Sequence, residues 1–174
     1  MHLRCLTTAL LVGATLVASS CGAPSPVGVD LAPPAMQALR LKLPPGGNRL
    51  VQCLPLAYDS VTQVIGPEGG ELNVGPHTLD VPPGALGDTV RITAVAPSDI
   101  VRWIRFKPEG LVFRQPASLS MSYKNCKTQG TRSPRIALVS DSMNVQEYLF
   151  SATDQWAKWV IGDLQHFSNY AVAW

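Results

Sequence analysis

Residues 117–123 read ASLSMSY. Leu119, Met121 and Tyr123 fall on one side of an extended chain, and Ser118, Ser120 and Ser122 fall on the other. That is the period-two pattern of a strand with one face in a core. The same pattern recurs on both sides of it. In HTLDVP (77–82), Leu79 and Val81 stand opposite Thr78 and Asp80. In TVRITAVA (89–96), Val90, Ile92 and Ala94 point inward, and Arg91 and Thr93 outward. VRWIRFKP (101–108) puts Val101, Trp103 and Arg105 on one face. RIALVS, EYLFSA and KWVIGD are further strands. In SNYAVAW (168–174), Tyr170, Val172 and Trp174 share a face, with Phe167 and Ala171 on the other. Turn sequences separate these runs: GPEGG, VGPH, PPGALGD, KPEG, TQGTRSP and ATDQ. No stretch of this region carries a helical period. Residues 51–174 are therefore expected to form an all-β domain, an antiparallel β-sandwich of eight or nine short strands.

Toward the N-terminus the composition changes. Residues 21–50 contain two Pro-Pro pairs and a Gly-Gly. They read as a disordered tether with a mean span of roughly 30 Å. Residues 1–20 have the layout of an export signal: MHLR supplies a positive start, and an uncharged apolar stretch follows. Small residues then precede Cys21. LVASSCG resembles the lipobox of bacterial lipoproteins, with Ala18 where leucine is usual. The resemblance implies that Cys21 carries acyl chains such as palmitate and anchors the chain in a lipid bilayer. Each buried methylene contributes about 0.8 kcal/mol. Gly22 after the cysteine implies the outer membrane of the cell envelope. The alternative is ordinary signal cleavage near Ala18, which leaves Cys21 as a free thiol. Cys53 and Cys126 then remain in an oxidising compartment, where a disulfide between them is expected. Two buried thiols are the other outcome.

Charge and motifs exclude several functions. The net charge is +2, and removing the leader with Arg4 leaves +1, so nucleic acid is not an expected partner. His77 and His166 have no companion at zinc-ligand spacing. The chain carries neither a calcium-loop pattern nor a phosphate-cradling glycine loop with its lysine. No cofactor is expected.

Three longer pieces carry a resemblance. GPEGGELNVGPHTLDVPPGALGDTVRITAV combines a Gly-Gly turn, a hairpin and a Pro-Pro-Gly-Ala-Leu step. FKPEGLVFRQPASLSMSY leads a Pro-x-Gly turn into an alternating strand, and HFSNYAV closes the chain. In this order they resemble the ZU-five domain of zonula occludens proteins, netrin receptors and ankyrins, over residues 62–174. The resemblance implies a sandwich that acts by contacting other proteins, here an envelope protein. It also draws attention to His166, Phe167 and Ser168, since some such domains cut themselves between Phe and Ser. Ser168 Oγ would attack the Phe167 carbonyl carbon while His166 takes the hydroxyl proton. The Phe167–Ser168 C–N bond would break with His166 protonating the leaving amine, and water would then cleave the ester. The segment SNYAVAW is expected to stay paired in its sheet, so the bond is read as intact and the chain as a non-enzyme. Self-cleavage at Phe167-Ser168 is one alternative. A carbohydrate-binding or hydrolytic module with a loop-built site is another, with Trp103, Trp156 and Trp159 as its candidate aromatic residues.

Overall fold

A computed structural model describes residues 49–174, apart from Gln129 and Thr131. The expected signal peptide, Cys21 and the tether as far as residue 48 lie outside the described residues. Among those described there are eleven strands and no helix. They are β1 (Asp59–Ile65), β2 (Gly70–Val74), β3 (His77–Val81), β4 (Val90–Ala96), β5 (Trp103–Lys107), β6 (Val112–Ser122), β7 (Arg135–Val139), β8 (Val145–Tyr148), β9 (Ser151–Asp154), β10 (Trp159–His166) and β11 (Asn169–Ala173). One sheet has the order β1-β4-β5-β11-β7-β8 and the other β2-β3-β6-β10-β9. Every pairing is antiparallel. The expected β-sandwich is the observed fold.

The strand count exceeds the expected eight or nine for three physical reasons. β1 is an edge strand whose alternation is faint, because only Ile65 in it is fully buried. β2 is five residues long and buries only Leu72 and Val74. EYLFSA is not one strand: its centre, Leu149-Phe150, turns out of the six-stranded sheet and starts β9 in the other.

The inward phase follows the alternation in β3, β4 and β6, where Leu79, Val81, Ile92, Ala94, Leu119 and Met121 are buried. In β5 and the residues before it, Arg102, Ile104 and Phe106 point inward. Val101, Trp103 and Arg105 therefore share the outer side. β11 is buried on both faces. Tyr170 and Val172 join the main core. Ala171 and Ala173 join a second apolar cluster with Leu50, Ala137 and Val139, bordered by Trp103 and Tyr148. Phe167 packs on the Tyr170 side, not with Ala171 as alternation suggested. The reason is a break in parity: β10 carries a register shift between Leu164 and His166, and the chain bends at Ser168 before β11 begins.

The entry segment is woven into the base of the sandwich. Leu50, placed at the end of the tether by composition, is buried and bridges Ala173. The Val51 N–H donates to Val172 O at 2.9 Å, Cys53 N–H to Ile100 O at 2.7 Å and Leu54 N–H to Asn125 O at 2.9 Å. Cys53 and Cys126 form a disulfide across 73 positions. A loop of that length is worth about 4 kcal/mol in the chain-entropy account. Arg102 sits behind it, 4% exposed, and Nη2 donates to Leu54 O and Lys124 O, both at 3.3 Å. Its Nε has no partner among the described residues. His77 accepts the Ser122 N–H on Nδ1 at 3.1 Å. Burial, then the charge of Arg102, lowers its pKa to about 4, so the ring is neutral near pH 7.

Candidate functional site

β10 ends at His166 and β11 starts at Asn169, so His166-Phe167-Ser168 is the crossing between the two sheets and not part of the last strand. Main-chain bonds pin it. Phe167 N–H donates to Leu111 O at 2.8 Å, Gly110 N–H to Phe167 O at 2.9 Å, and Phe106 N–H to Ser168 O at 3.1 Å. The Phe167 ring stacks on Phe106 at 5.0 Å and meets Phe113 edge-on at 4.9 Å. Buried aromatic pairs of this kind add about 0.5–1.5 kcal/mol each beyond area burial. Asn169 is buried behind the crossing. It accepts from Arg105 Nε at 2.9 Å and donates to Asp141 at 3.1 Å, which satisfies its amide.

The chemistry of this corner is half assembled. The Phe167 carbonyl oxygen accepts the Gly110 N–H, and His166 Nδ1 lies 3.4 Å from the same oxygen. The Gly110 N–H polarises the carbonyl that a nucleophile would attack, and His166 adds to this only in the tautomer that carries its proton on Nδ1. Among the described residues no hydrogen bond joins His166 to Ser168 Oγ, so the base of the proposed reaction is not engaged with its hydroxyl. Phe167 itself is fully buried.

Beside the corner lies an open cleft of about 340 Å³. Leu138 of β7 and Tyr170 of β11 form its inner wall, and Glu147 and Tyr148 of β8 form one rim. Leu149 and Phe150 stand at the β8–β9 turn, and Asp163, Gln165 and His166 of β10 complete the lining. The cleft exists because β9 is short. It pairs with β10 only from Trp159 to Gly162, whereas β6 accompanies β10 on to His166. The β10 segment 163–166 therefore has a strand on one side and the cleft on the other. Tyr170 Oη donates to His166 O at 2.5 Å and ties the floor to that segment. Burial, then the charge of Glu147, pushes the Tyr170 phenol well above its ordinary pKa, so the hydroxyl stays a donor.

Two carboxylates, Glu147 and Asp163, line the cleft, and no Lys or Arg does. The one ion pair among the described residues is Arg105–Asp141, on the outer side of the six-stranded sheet. Phe150 is 88% exposed at the mouth. Alternation treats EYLFSA as one strand and hides this site.

The other expected residues do not converge here. Trp103 lies on the outer side of the six-stranded sheet, with Nε1 donating to Asp99 at 3.1 Å and Arg105 over its ring at 5.5 Å. Trp156 is 98% exposed in the β9–β10 turn, and Trp159 is half-buried at the start of β10. Among the described residues no three His, Cys, Asp or Glu side chains gather as a metal site. Cys21 lies outside them, and Cys53 and Cys126 are joined at the base. Comparison of the sequence with models of known families finds no match, and comparison with curated proteins finds none.

Proposed function

We propose that this chain is a lipid-anchored envelope protein that presents its β-sandwich as a protein-interaction module. In this reading Cys21 is acylated, residues 22–48 hold the domain away from the bilayer, and a partner protein docks at the cleft beside β10. The observation that carries the reading is the unpaired stretch of β10 beneath an exposed aromatic lip. Sheet edges of this kind are templates for another chain, and the Phe150 ring stands 88% exposed beside this one.

Two measurements test it. Labelled palmitate should enter the wild-type protein in cells and not the Cys21→Ser variant; equal labelling rejects the anchor. A photo-reactive phenylalanine analogue at position 150 should form one reproducible adduct in intact envelopes, while the same group at Val64 on β1 should not. No adduct from position 150, or the same pattern from both, rejects the interaction face.

A second reading is self-processing between Phe167 and Ser168, favoured by the two groups on the Phe167 carbonyl oxygen. Intact mass under denaturing conditions decides it. A full-length mature chain throughout rejects cleavage, and a fragment beginning at Ser168 establishes it.

A further inference from the structure

We propose that the cleft receives an extended basic segment of the partner protein, which adds to the free edge of β10 and sets a lysine or arginine side chain between Glu147 and Asp163. This rests on the interaction reading and names the chemistry of its partner.

Three features of the cleft point the same way. The first is the edge itself. Residues 163–166 of β10 have no strand partner on the β9 side. Asp163, Leu164 and His166 pair with β6, and the His166 carbonyl is already taken by Tyr170 Oη, which leaves Asp163 and Gln165 as the open stretch. An added strand recovers main-chain hydrogen bonds there, which gives affinity without regard to side chains. The second is size. At about 340 Å³ the cleft stands at the small end of the roughly 300–1,000 Å³ range of ligand sites. That suits a side chain or two of a longer segment better than a whole large ligand.

The third is charge. Glu147 and Asp163 line the cleft with His166, and no Lys or Arg of the described residues lines it with them. Neither carboxylate is paired to a cation elsewhere among the described residues. Two carboxylates facing one cleft from β8 and β10 repel an acidic or phosphorylated segment and attract a basic one. Arg135 already stacks on the Tyr148 ring at 4.0 Å, so the exposed Phe150 ring is the surface that suits the rest of a basic side chain. Its methylenes pack on that ring while the charge remains at the carboxylates. A bare divalent cation fits less well, because no third ligand accompanies the two carboxylates.

The test uses the full mature protein and two labelled synthetic peptides, one alternating valine with lysine and one alternating valine with glutamate. The lysine peptide should bind, with amide shifts concentrated at Gln165 and His166, and the glutamate peptide should not. Glu147→Gln combined with Asp163→Asn should weaken the lysine peptide at least about tenfold. Glu147→Lys combined with Asp163→Lys should bind the glutamate peptide instead. These side chains are exposed, and melting curves matching the wild type check that the fold is kept. Equal binding of both peptides, undiminished binding by the charge-reversed protein, or no binding of the lysine peptide overturns the proposal. So does a lysine-peptide signal competed away by self-association, which makes a second copy the occupant. If position 150 still marks a partner in envelopes of the charge-reversed variant as strongly as in wild type, the interaction reading stands and the basic segment falls. If no partner is marked in either, the interaction reading itself falls.

Discussion

The chain passes from one sheet to the other at both edges of the sandwich, and the two passages are built in opposite ways. From β1 to β2 the corner is closed. Gly69 takes φ 78°, and its N–H donates to Gly66 O at 3.0 Å. Gly84 N–H reaches Pro67 O at 2.7 Å, which ties the corner to the Pro-Pro-Gly-Ala-Leu loop. β2 then pairs with β3 along all five of its residues. From β8 to β9 the corner is open. Leu149 and Phe150 carry the turn, and β9 covers only four of the eight residues of β10. The difference lies in how far the strands run after the bend. Glycine lets the main chains approach and β2 pairs along its whole length, whereas β9 stops after four residues and leaves the rest of the β10 edge bare. A sandwich with two closed corners would have no notch to offer a partner.

That contrast can be broken from its strongest point downward. Phe167→Ala empties the aromatic cluster that anchors the wall next to the open corner, and it should cost about 4 kcal/mol in denaturant unfolding. A loss under about 1 kcal/mol would mean that the cluster carries little of the fold. Gly69→Ala attacks the closed corner. A Cβ there would collide with Val81 O, on a backbone conformation that alanine disfavours. Unfolding should become easier by roughly 3 kcal/mol, and an unchanged midpoint would show that the corner is looser than its contacts imply.

Acid should sharpen the comparison by weakening the half of the molecule that holds β2 and β3. His77 has a folded pKa near 4 against 6.5 in the unfolded chain. Between those values the unfolded state binds more protons than the native state, so stability falls as pH falls through that window. The loss should be about 2 kcal/mol from pH 7 to pH 5. His77→Gln should flatten that slope, and a wild-type slope surviving in the variant would assign it to another group. The smallest effect belongs to the open corner. Phe150→Ser should move stability by no more than about 0.5 kcal/mol, as exposed positions usually do. The same change should weaken binding of the valine–lysine peptide, since stability and binding are separate properties of this site. A large loss of stability from Phe150→Ser would instead make the open corner structural.

How far the sequence reaches can be judged strand by strand. ASLSMSY, TVRITAVA and HTLDVP were read with the right inward residues, because half-buried strands advertise their phase in every second side chain. β1 was missed because an exposed edge strand has little to bury. The second apolar cluster was missed because Ala171 and Ala173 look neutral until the neighbouring strands bring Trp103 and Tyr148 to their borders. His166-Phe167-Ser168 drew attention from sequence alone, but as part of a last strand, and its true place as a crossing depends on a register shift in β10. The cleft was not legible, since its lining comes from β7, β8, β10, β11 and the β8–β9 turn, and exists only where one strand stops short of its neighbour.

Periodicity and turn residues by themselves determined that this chain makes short antiparallel strands in two layers, and cysteine arithmetic pointed to the bond between Cys53 and Cys126. These are local or countable properties. Which face of β5 is inner, how β11 comes to be covered twice and where β10 is left bare were decided only when the sheets met. Each depends on the length and register of strands far apart in sequence, and no single segment encodes its neighbour's end.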